Sequence, residues 1–388
     1  MTFRFIHTSD WQLGKPFGGF EADLAGRLRA ERHTAIVRIA EAARQAQARH
    51  ILVAGDVWDH VTPKNATLRQ ALDIMAESPD LLWWLMPGNH DPDGPDRLWD
   101  RIAEMAPDNI RLLREETPVE MEDSVWLLPA PWQRLHHGRD LTDWMDGADT
   151  PDGAIRIGIA HGSIKTFGTK HEGREDGESA SVIPPDRAAR ARLNYLALGD
   201  WHALTEINAR TFYAGTPEPD RFKSGERGQV LLVEIDTGNS PPTVTPLSTA
   251  HFDWVTLDVS LHVGESEAAL EEIEARISSG QPARQTLVQV TVSGATTVEE
   301  WQQFETYIET LAERCAYLDL RGSESVNLKI VAEDLDTLDA QGSVRQAAEA
   351  LNAKRVNPDL SQEDREMAAE ALRLLFSYAA TSSLEDAS

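Results

Sequence analysis

The sequence predicts an α/β fold built in layers, and three features carry that expectation. Short apolar runs rich in β-branched and aromatic residues alternate with helical stretches through the first half of the chain. Each of the clearest runs ends in a polar cluster, as strands do where an α/β sheet presents its carboxyl edge. The mixture of 41% hydrophobic and 26% charged residues is that of a globular chain, with enough apolar material for real cores.

Taken in order, Phe3–His7 reads as a strand and Ala22–Gln47 as an amphipathic helix with Leu24, Leu28, Ile36 and Ile39 inward. Ile51–Ala54 and Leu81–Met86 are buried-strand runs on either side of a helix, Ala66–Ala76, and Trp83-Trp84 belongs to the core. Val125–Leu128, Ile155–Ala160, Tyr195–Leu198, Thr211–Ala214 and Val230–Ile235 continue the strand pattern. Turn residues Gly238-Asn239-Ser240-Pro241-Pro242 then loosen it. Beyond a strand near Phe252–Val259 lies a smaller α/β stretch. It has helices Glu267–Ile277 and Val298–Arg314, and strands Thr286–Val292, Tyr317–Leu320 and Val326–Ile330. Two final helices, Val344–Ala353 and Ser361–Tyr378, are separated by Pro358 and the capping sequence Ser361-Gln362-Glu363-Asp364. The expected units are therefore residues 1–250, a small domain over 251–340 and a helical segment over 341–388.

Charge and cysteine content narrow the function. Lys+Arg number 37 against 64 Asp+Glu, a net charge of −27 that argues against a broad basic face coating DNA or an anionic membrane. The excess is uneven: −11 over residues 1–250 and −16 over 251–388, while residues 1–50 carry +3 and residues 151–200 balance. The single cysteine, Cys315, excludes an intrachain disulfide and a thiolate zinc cluster. No apolar run approaches the roughly 20 residues that span a bilayer. Met1-Thr2-Phe3-Arg4-Phe5-Ile6 lacks the apolar core of a signal peptide, so a cytoplasmic location is expected.

Five polar clusters follow strand-like runs in order: Asp10-Trp11-Gln12, Gly55-Asp56-Val57-Trp58-Asp59, Gly88-Asn89-His90-Asp91, His161-Gly162 and Gly199-Asp200-Trp201-His202. Singly, an Asp after a strand is a turn former or cap, and a strand-end His is a hydrogen-bonded structural group. Gly-Asn-His-Asp is more specific, since four set residues arise by chance about twice in a thousand chains of this length.

Together these clusters resemble the calcineurin-like metallophosphoesterases, and more narrowly their SbcD-type nuclease branch. Ile6-His7-Thr8-Ser9-Asp10-Trp11-Gln12-Leu13-Gly14-Lys15, Gly55-Asp56-Val57-Trp58-Asp59 and Tyr213-Ala214-Gly215-Thr216-Pro217-Glu218-Pro219 carry the narrower likeness over residues 1–225. The resemblance implies a four-layer β-sandwich flanked by helices, a small capping domain and a helical tail. It implies a DNA exonuclease or endonuclease of DNA repair, working as a homodimer with an SbcC-like SMC-type ATPase. It also implies two divalent ions that activate water against a phosphodiester. Asp10, Gln12, Asp56 and His202 would hold one ion, and Asp56, Asn89, His161 and Asp200 the other. His90 would sit over the scissile phosphate as catalytic acid or charge stabiliser, oriented by Asp91. Asp59 would support the site from behind its ligands.

Two positions depart from the family pattern. Gln12 stands where the family has His, and Asp200 replaces the first His of Gly-His-x-His. Both exchange nitrogen for oxygen, which suits Mn²⁺ or Mg²⁺ over Zn²⁺ and leaves the site less positive. A manganese-dependent enzyme with an alkaline-shifted optimum is expected, or else a subunit whose first site is broken. Lys165, Lys170, His171 and Arg174 could grip substrate phosphate after His161, or form a solvated loop among Glu172, Glu175, Asp176 and Glu178. His136-His137 reads as loop. Trp11, Trp58 and Trp201 fit packing around the site, with base stacking as the other reading. The crowded apolar positions Leu372, Leu374, Leu375 and Phe376 suit docking on the ATPase or on the chain's own cap.

Three functions remain open on sequence: the nuclease, a phosphodiesterase or phosphatase for small esters, and a metal-poor scaffold subunit. For a nuclease this acidic, grip on DNA must come from metals, a local patch and a partner.

Overall fold

The computed structural model describes residues 2–134, 139–164, 182–222, 227–236, 241–329 and 342–385. The chain divides into two compact units, Met1–Phe252 and Asp253–Ser388.

Among the described residues, the first unit carries two six-stranded sheets. One runs, in spatial order, Thr243–Ser248, Gln229–Ile235, Phe3–Thr8, His50–Val53, Leu82–Leu85 and Ile110–Leu112. The other runs Thr205–Asn208, Thr211–Tyr213, Tyr195–Gly199, Ile155–His161, Val125–Ala130 and Val119–Glu122. The inner pairings are parallel, Phe5↔His50 and His50↔Leu82 in one sheet and Tyr195↔Ile157 in the other. All their carboxyl ends therefore lie along one edge of each sheet.

Side-chain alternation sets the layering. Ile6, Ile51, Val53, Trp83 and Leu85 point to one face, where they pack with Ile36 and Ile39 of helix Ala22–Gln45, Leu68 and Leu72 of Asn65–Ala76, and Trp99 of Leu98–Met105. Their neighbours Phe5, Leu52, Ala54, Trp84 and Met86 point the other way, against Leu127, Ile157, Ile159, Tyr195 and Ala197 of the second sheet. The outer face of that sheet, with Leu128, Ala160, Leu196 and Leu198, is covered by Leu141, Met145, Ile183, Ala188 and Leu193. These three cores separate four layers: helices, sheet, sheet, and an outer layer of short helical turns and loops, in keeping with the expected sandwich.

Several elements differ from expectation. Thr243–Ser248 extends the first sheet beyond the turn-rich Pro241-Pro242, pairing antiparallel with Gln229–Ile235. It is a partly exposed edge strand that tolerates Pro246 there, so no apolar alternation announces it. Ile110–Leu112 and Val119–Glu122 are likewise short edge strands with mixed burial.

In the second unit, Asp253–Leu261, Thr286–Thr297, Tyr317–Arg321 and Asn327–Lys329 form a parallel sheet. Helices Ser266–Ser278 and Val298–Arg314 supply Ile273, Ile277, Trp301, Phe304, Ile308 and Leu311 to its core. A capping box starts the latter helix: Thr297 Oγ1 accepts from Glu300 N, and the Glu300 carboxylate accepts from Thr297 N. Helices Ser343–Arg355 and Gln362–Glu385 belong to this same unit. Ala348 and Leu372 pack there with Val298, whereas Leu374 is 47% exposed. The Phe376 side chain lies outside the described residues. No described helix is long and apolar enough to cross a membrane.

Candidate metal centre

Strand ends position the site. Asp10 follows Phe3–Thr8, Asp56 follows His50–Val53, Asn89 follows Leu82–Leu85, His161 ends its strand, and Asp200 follows Tyr195–Gly199. The two sheet edges meet so closely that side chains are excluded. A Cβ on Gly199 would lie 2.0 Å from Ala54 O, and one on Gly55 would lie 2.4 Å from His161 Nδ1. The glycines of the motifs therefore serve convergence of the backbone.

Strain gathers at the same points. Asp10, Gln12, Asp56 and Asp200 have φ of 54°, 42°, 53° and 115°. Non-glycine residues rarely hold such values without surrounding support, and they cluster at functional sites. The support is visible: Asp10 N donates to Gly55 O at 3.1 Å, and Gln12 N donates to Asp56 O at 2.9 Å. Asp200 N faces both Asp10 carboxylate oxygens at 3.3 Å.

Among the described residues, Asp10, Asp56 and His161 each offer a ligand atom within 4.8 Å of the others. All three are buried. His161 Nδ1 donates to Ala54 O at 2.8 Å, which fixes the ring and turns Nε2 toward the acids. That Nε2 lies 2.7 Å from Asn89 Oδ1 and 3.5 Å from Asp56 Oδ1. Burial opposes charge on His161, but Asp56, Asp10 and Asp200 outweigh it and raise its pKa to about 9. Carboxylates gathered around one buried imidazole concentrate negative charge there, and oxygen donors with one oriented imidazole nitrogen suit a divalent cation. The residues fit such an ion.

Asp200 and His202 are also brought to the site. Ser163 Oγ donates to Asp200 Oδ2 at 2.8 Å. His202 Nε2 is 3.9 Å from Asp10 Oδ1 and 3.4 Å from Gln12 Nε2. Its Nδ1 lies 3.3 Å from Asp220, a fully buried carboxylate that also takes a 2.6 Å bond from Lys15. Burial opposes both charges in this pair, yet mutual attraction raises the His202 pKa and holds Asp220 well below the usual carboxylate range.

His90 is the accessible member, with its side chain 44% exposed and Nε2 4.0 Å from Asp56 Oδ2. The expectation that Asp91 orients His90 is corrected. The Asp91 carboxylate is fully buried and accepts from Trp58 N at 3.0 Å and Gly88 N at 2.6 Å, so it ties the second motif to the third. Burial and the neighbouring Asp56 charge push its pKa up to about 7. His90 Nδ1 donates instead to the backbone carbonyl of Asp59 at 3.0 Å, and Asp59 supports the site by that route.

Trp11 and Trp58 are at most 1% exposed, which leaves them no face for a base. Trp11 bonds Thr8 Oγ1 and packs edge-on to Trp83, and Trp58 packs edge-on to Trp99. Trp201 leans on Tyr213. Lys165, Lys170, His171 and Arg174 lie outside the described residues, as do His136 and His137.

Three supports are missing from the sequence reading. Arg32, 2% exposed, donates to Trp11 O at 2.7 Å, Asp10 O at 3.1 Å and Glu218 O at 2.9 Å. Thr216 Oγ1 lies within reach of Asp10 O and Glu218 O, and Trp132 stands edge-on to the His161 ring. Arg32 sits mid-helix with no motif around it. Thr216 and Glu218 lie in the late motif, whose structural duty only a folded chain displays.

No curated protein matches the chain at significant similarity. The crystal structure of TT1561 of Thermus thermophilus is similar at 11% identity, with a TM-score of 0.40, over 64% of this chain and 100% of that one. The calcineurin-like phosphoesterase family matches residues 3–222, which contain all five polar clusters. The chain belongs to the calcineurin-like phosphoesterase family.

Proposed function

We propose that this protein is a divalent-metal-dependent DNA nuclease of the SbcD type, cutting phosphodiesters at DNA ends or hairpins. The observation that carries it is the juxtaposition of a buried acid–imidazole pocket with one exposed histidine. Asp10, Asp56, Asn89 and His161 would hold the cation, which when bound supplies Lewis acidity and an acidified water. The remaining groups act through their own atoms. His161 is kept in one tautomer by Ala54 O, so its Nε2 serves as ligand. His90, fixed through Nδ1 by Asp59 O, keeps Nε2 toward Asp56 and solvent, where it can hold or give a proton to a leaving oxygen. The oxygen-rich donor set supports Mn²⁺ as the working ion.

The SbcD-type motifs support DNA over small esters as substrate. An ATPase partner of the SbcC kind is proposed to dock on Gln362–Glu385, where Met367 and Leu374 are 63% and 47% exposed seven residues apart on one helical face. Their replacement by Glu should abolish that docking without unfolding the unit.

The test incubates purified protein and Mn²⁺ with labelled duplex DNA, hairpin DNA and bis-p-nitrophenyl phosphate in parallel, with His90→Ala as the contamination control. Cutting of DNA that the control lacks supports the nuclease. Turnover of the small ester alone would replace it with the small-substrate phosphodiesterase, and no turnover of any would leave a scaffold.

A further inference from the structure

Gln12, Lys15, Asp220 and His202 close a ring of hydrogen bonds. The Lys15 ammonium donates to Gln12 Oε1 at 3.0 Å and to Asp220 Oδ2 at 2.6 Å. His202 Nδ1 lies 3.3 Å from Asp220 Oδ1, and His202 Nε2 lies 3.4 Å from Gln12 Nε2. Chemistry sets the direction of each link. An ammonium has only donors, so the amide oxygen of Gln12 faces Lys15 and the amide nitrogen faces the imidazole. An ionised carboxylate only accepts, so His202 Nδ1 donates to it and Nε2 is turned to the amide nitrogen.

This ring uses the atoms that a cation at the Gln12 end would need. The only carbonyl oxygen of the Gln12 side chain is held by a full positive charge. The His202 Nε2 that a cation would need already faces the Gln12 amide nitrogen at 3.4 Å. A divalent ion drawn to both would sit next to the ammonium, with like charges in a buried setting of low dielectric. Gln12, Asp220 and His202 are 3%, 4% and 7% exposed and the Lys15 side chain 27%, so water screens that repulsion only in part. The other side of the pocket brings carboxylates where the Gln12 end has an ammonium: Asp10, Asp56 and His161 converge within 4.8 Å, and the 2.7 Å bond between Asn89 Oδ1 and His161 Nε2 is one that a cation would replace.

We propose that this chain binds one divalent cation rather than two, at Asp10, Asp56, Asn89 and His161, while Lys15 locks Gln12 and His202 and stands in for the other ion. The proposal rests on the metal-dependent reading of the same site. In this family setting it makes Lys15 a positioning residue: its charge organises donors that would otherwise take metal. Replacing the usual imidazole by Gln12 is what gives Lys15 an oxygen to hold.

Equilibrium dialysis of the full chain against Mn²⁺ alone, read by elemental analysis, counts the ions directly, and electron paramagnetic resonance of the saturated protein reports whether they are coupled. One ion per chain and the hyperfine sextet of isolated Mn²⁺ are expected. The double variant Gln12→His, Lys15→Met should double the stoichiometry and give an exchange-coupled spectrum. Two coupled ions in the unaltered chain would overturn the proposal even if the double variant fails to fold, and so would no ion at all. Hydrolysis assayed on the same sample separates the two readings. One ion without turnover removes the nuclease and keeps the count, whereas two ions with turnover does the reverse.

Discussion

Arg32→Met tests how the first motif is held. Arg32 donates to the carbonyls of Asp10, Trp11 and Glu218 from a site 2% exposed. Methionine keeps most of the apolar stem and removes the guanidinium. The Thr216 hydroxyl lies 3.0 Å from Asp10 O and 2.8 Å from Glu218 O, but its single proton can satisfy only one of them. Two buried carbonyls are left short, at about 1–3 kcal/mol each, so the first unit should lose ~4 kcal/mol. That is a large share of the ~5–15 kcal/mol typical of a domain. Asp10 is also held at φ 54°, and losing the bond to its carbonyl lets that strained backbone relax away from the pocket. Mn²⁺ affinity should therefore fall by about 10–100-fold, as when groups supporting a ligand are removed. Arg32→Lys keeps the charge but cannot span three acceptors, and should recover less than half of the loss. Guanidinium unfolding read by tryptophan fluorescence gives the first quantity and calorimetric Mn²⁺ titration the second. If Arg32→Met stays within about 1 kcal/mol of the parent, the hydrogen bonds do not carry the stability assigned to them. Unchanged Mn²⁺ affinity would show that Arg32 does not hold Asp10 in place.

Other perturbations separate chemistry from architecture. His90→Ala should leave Mn²⁺ binding intact and lower turnover by roughly 10²–10⁴-fold, because the exposed ring acts on the leaving oxygen; an equal loss of metal affinity in calorimetry would make it a ligand instead. Gly199→Ala places a carbon 2.0 Å from Ala54 O, a backbone atom that cannot step aside. It should cost about 3 kcal/mol or more in chemical unfolding, and a neutral result would mean the sheet edges are not so closely joined. In the second unit, Arg314 and Tyr307 hold the Glu274 pKa at about 2. Burial opposes ionisation of Glu300, but the Thr297 and Gly264 N–H groups bring it to about 2. Both folded pKa values lie below the ordinary 4.5, so their stabilisation is complete above that pH and is lost as pH falls toward 2. Hydrogen exchange of helix Val298–Arg314 should accelerate over this window, and Glu300→Gln should flatten the dependence.

The layered α/β order was legible because its signals are local, while the number of layers came with the family resemblance. The alternation of Phe5 with Ile6, and of Trp83 with Trp84, names two faces of one strand, and those faces separate into two cores. The motif residues were legible because chemistry restricts which side chains can follow a strand end. Asp91 shows the limit of that reasoning. Adjacency to His90 suggested a contact, yet the chain turns there and sends the carboxylate back to Trp58 N and Gly88 N. Arg32 and Asp220 were hidden for another reason. Their partners lie up to 205 residues away, and nothing in the surrounding sequence distinguishes an arginine on a helix or an acid after Pro219. The edge strand Thr243–Ser248 escaped because an edge exposed to solvent needs neither apolar alternation nor every backbone donor.

The central claim is that Asp10, Asp56, Asn89 and His161 hold a divalent ion for phosphodiester hydrolysis. It is tested most directly by the Mn²⁺ dependence of bis-p-nitrophenyl phosphate hydrolysis in the parent and in Asp56→Asn. The substitution keeps the shape of Asp56 and removes the charge that faces both His161 and His90. The expected result is turnover that saturates with Mn²⁺ in the parent and disappears in Asp56→Asn, with the variant still folded. Turnover that ignores Mn²⁺, or an Asp56→Asn variant as active as the parent, would contradict the claim.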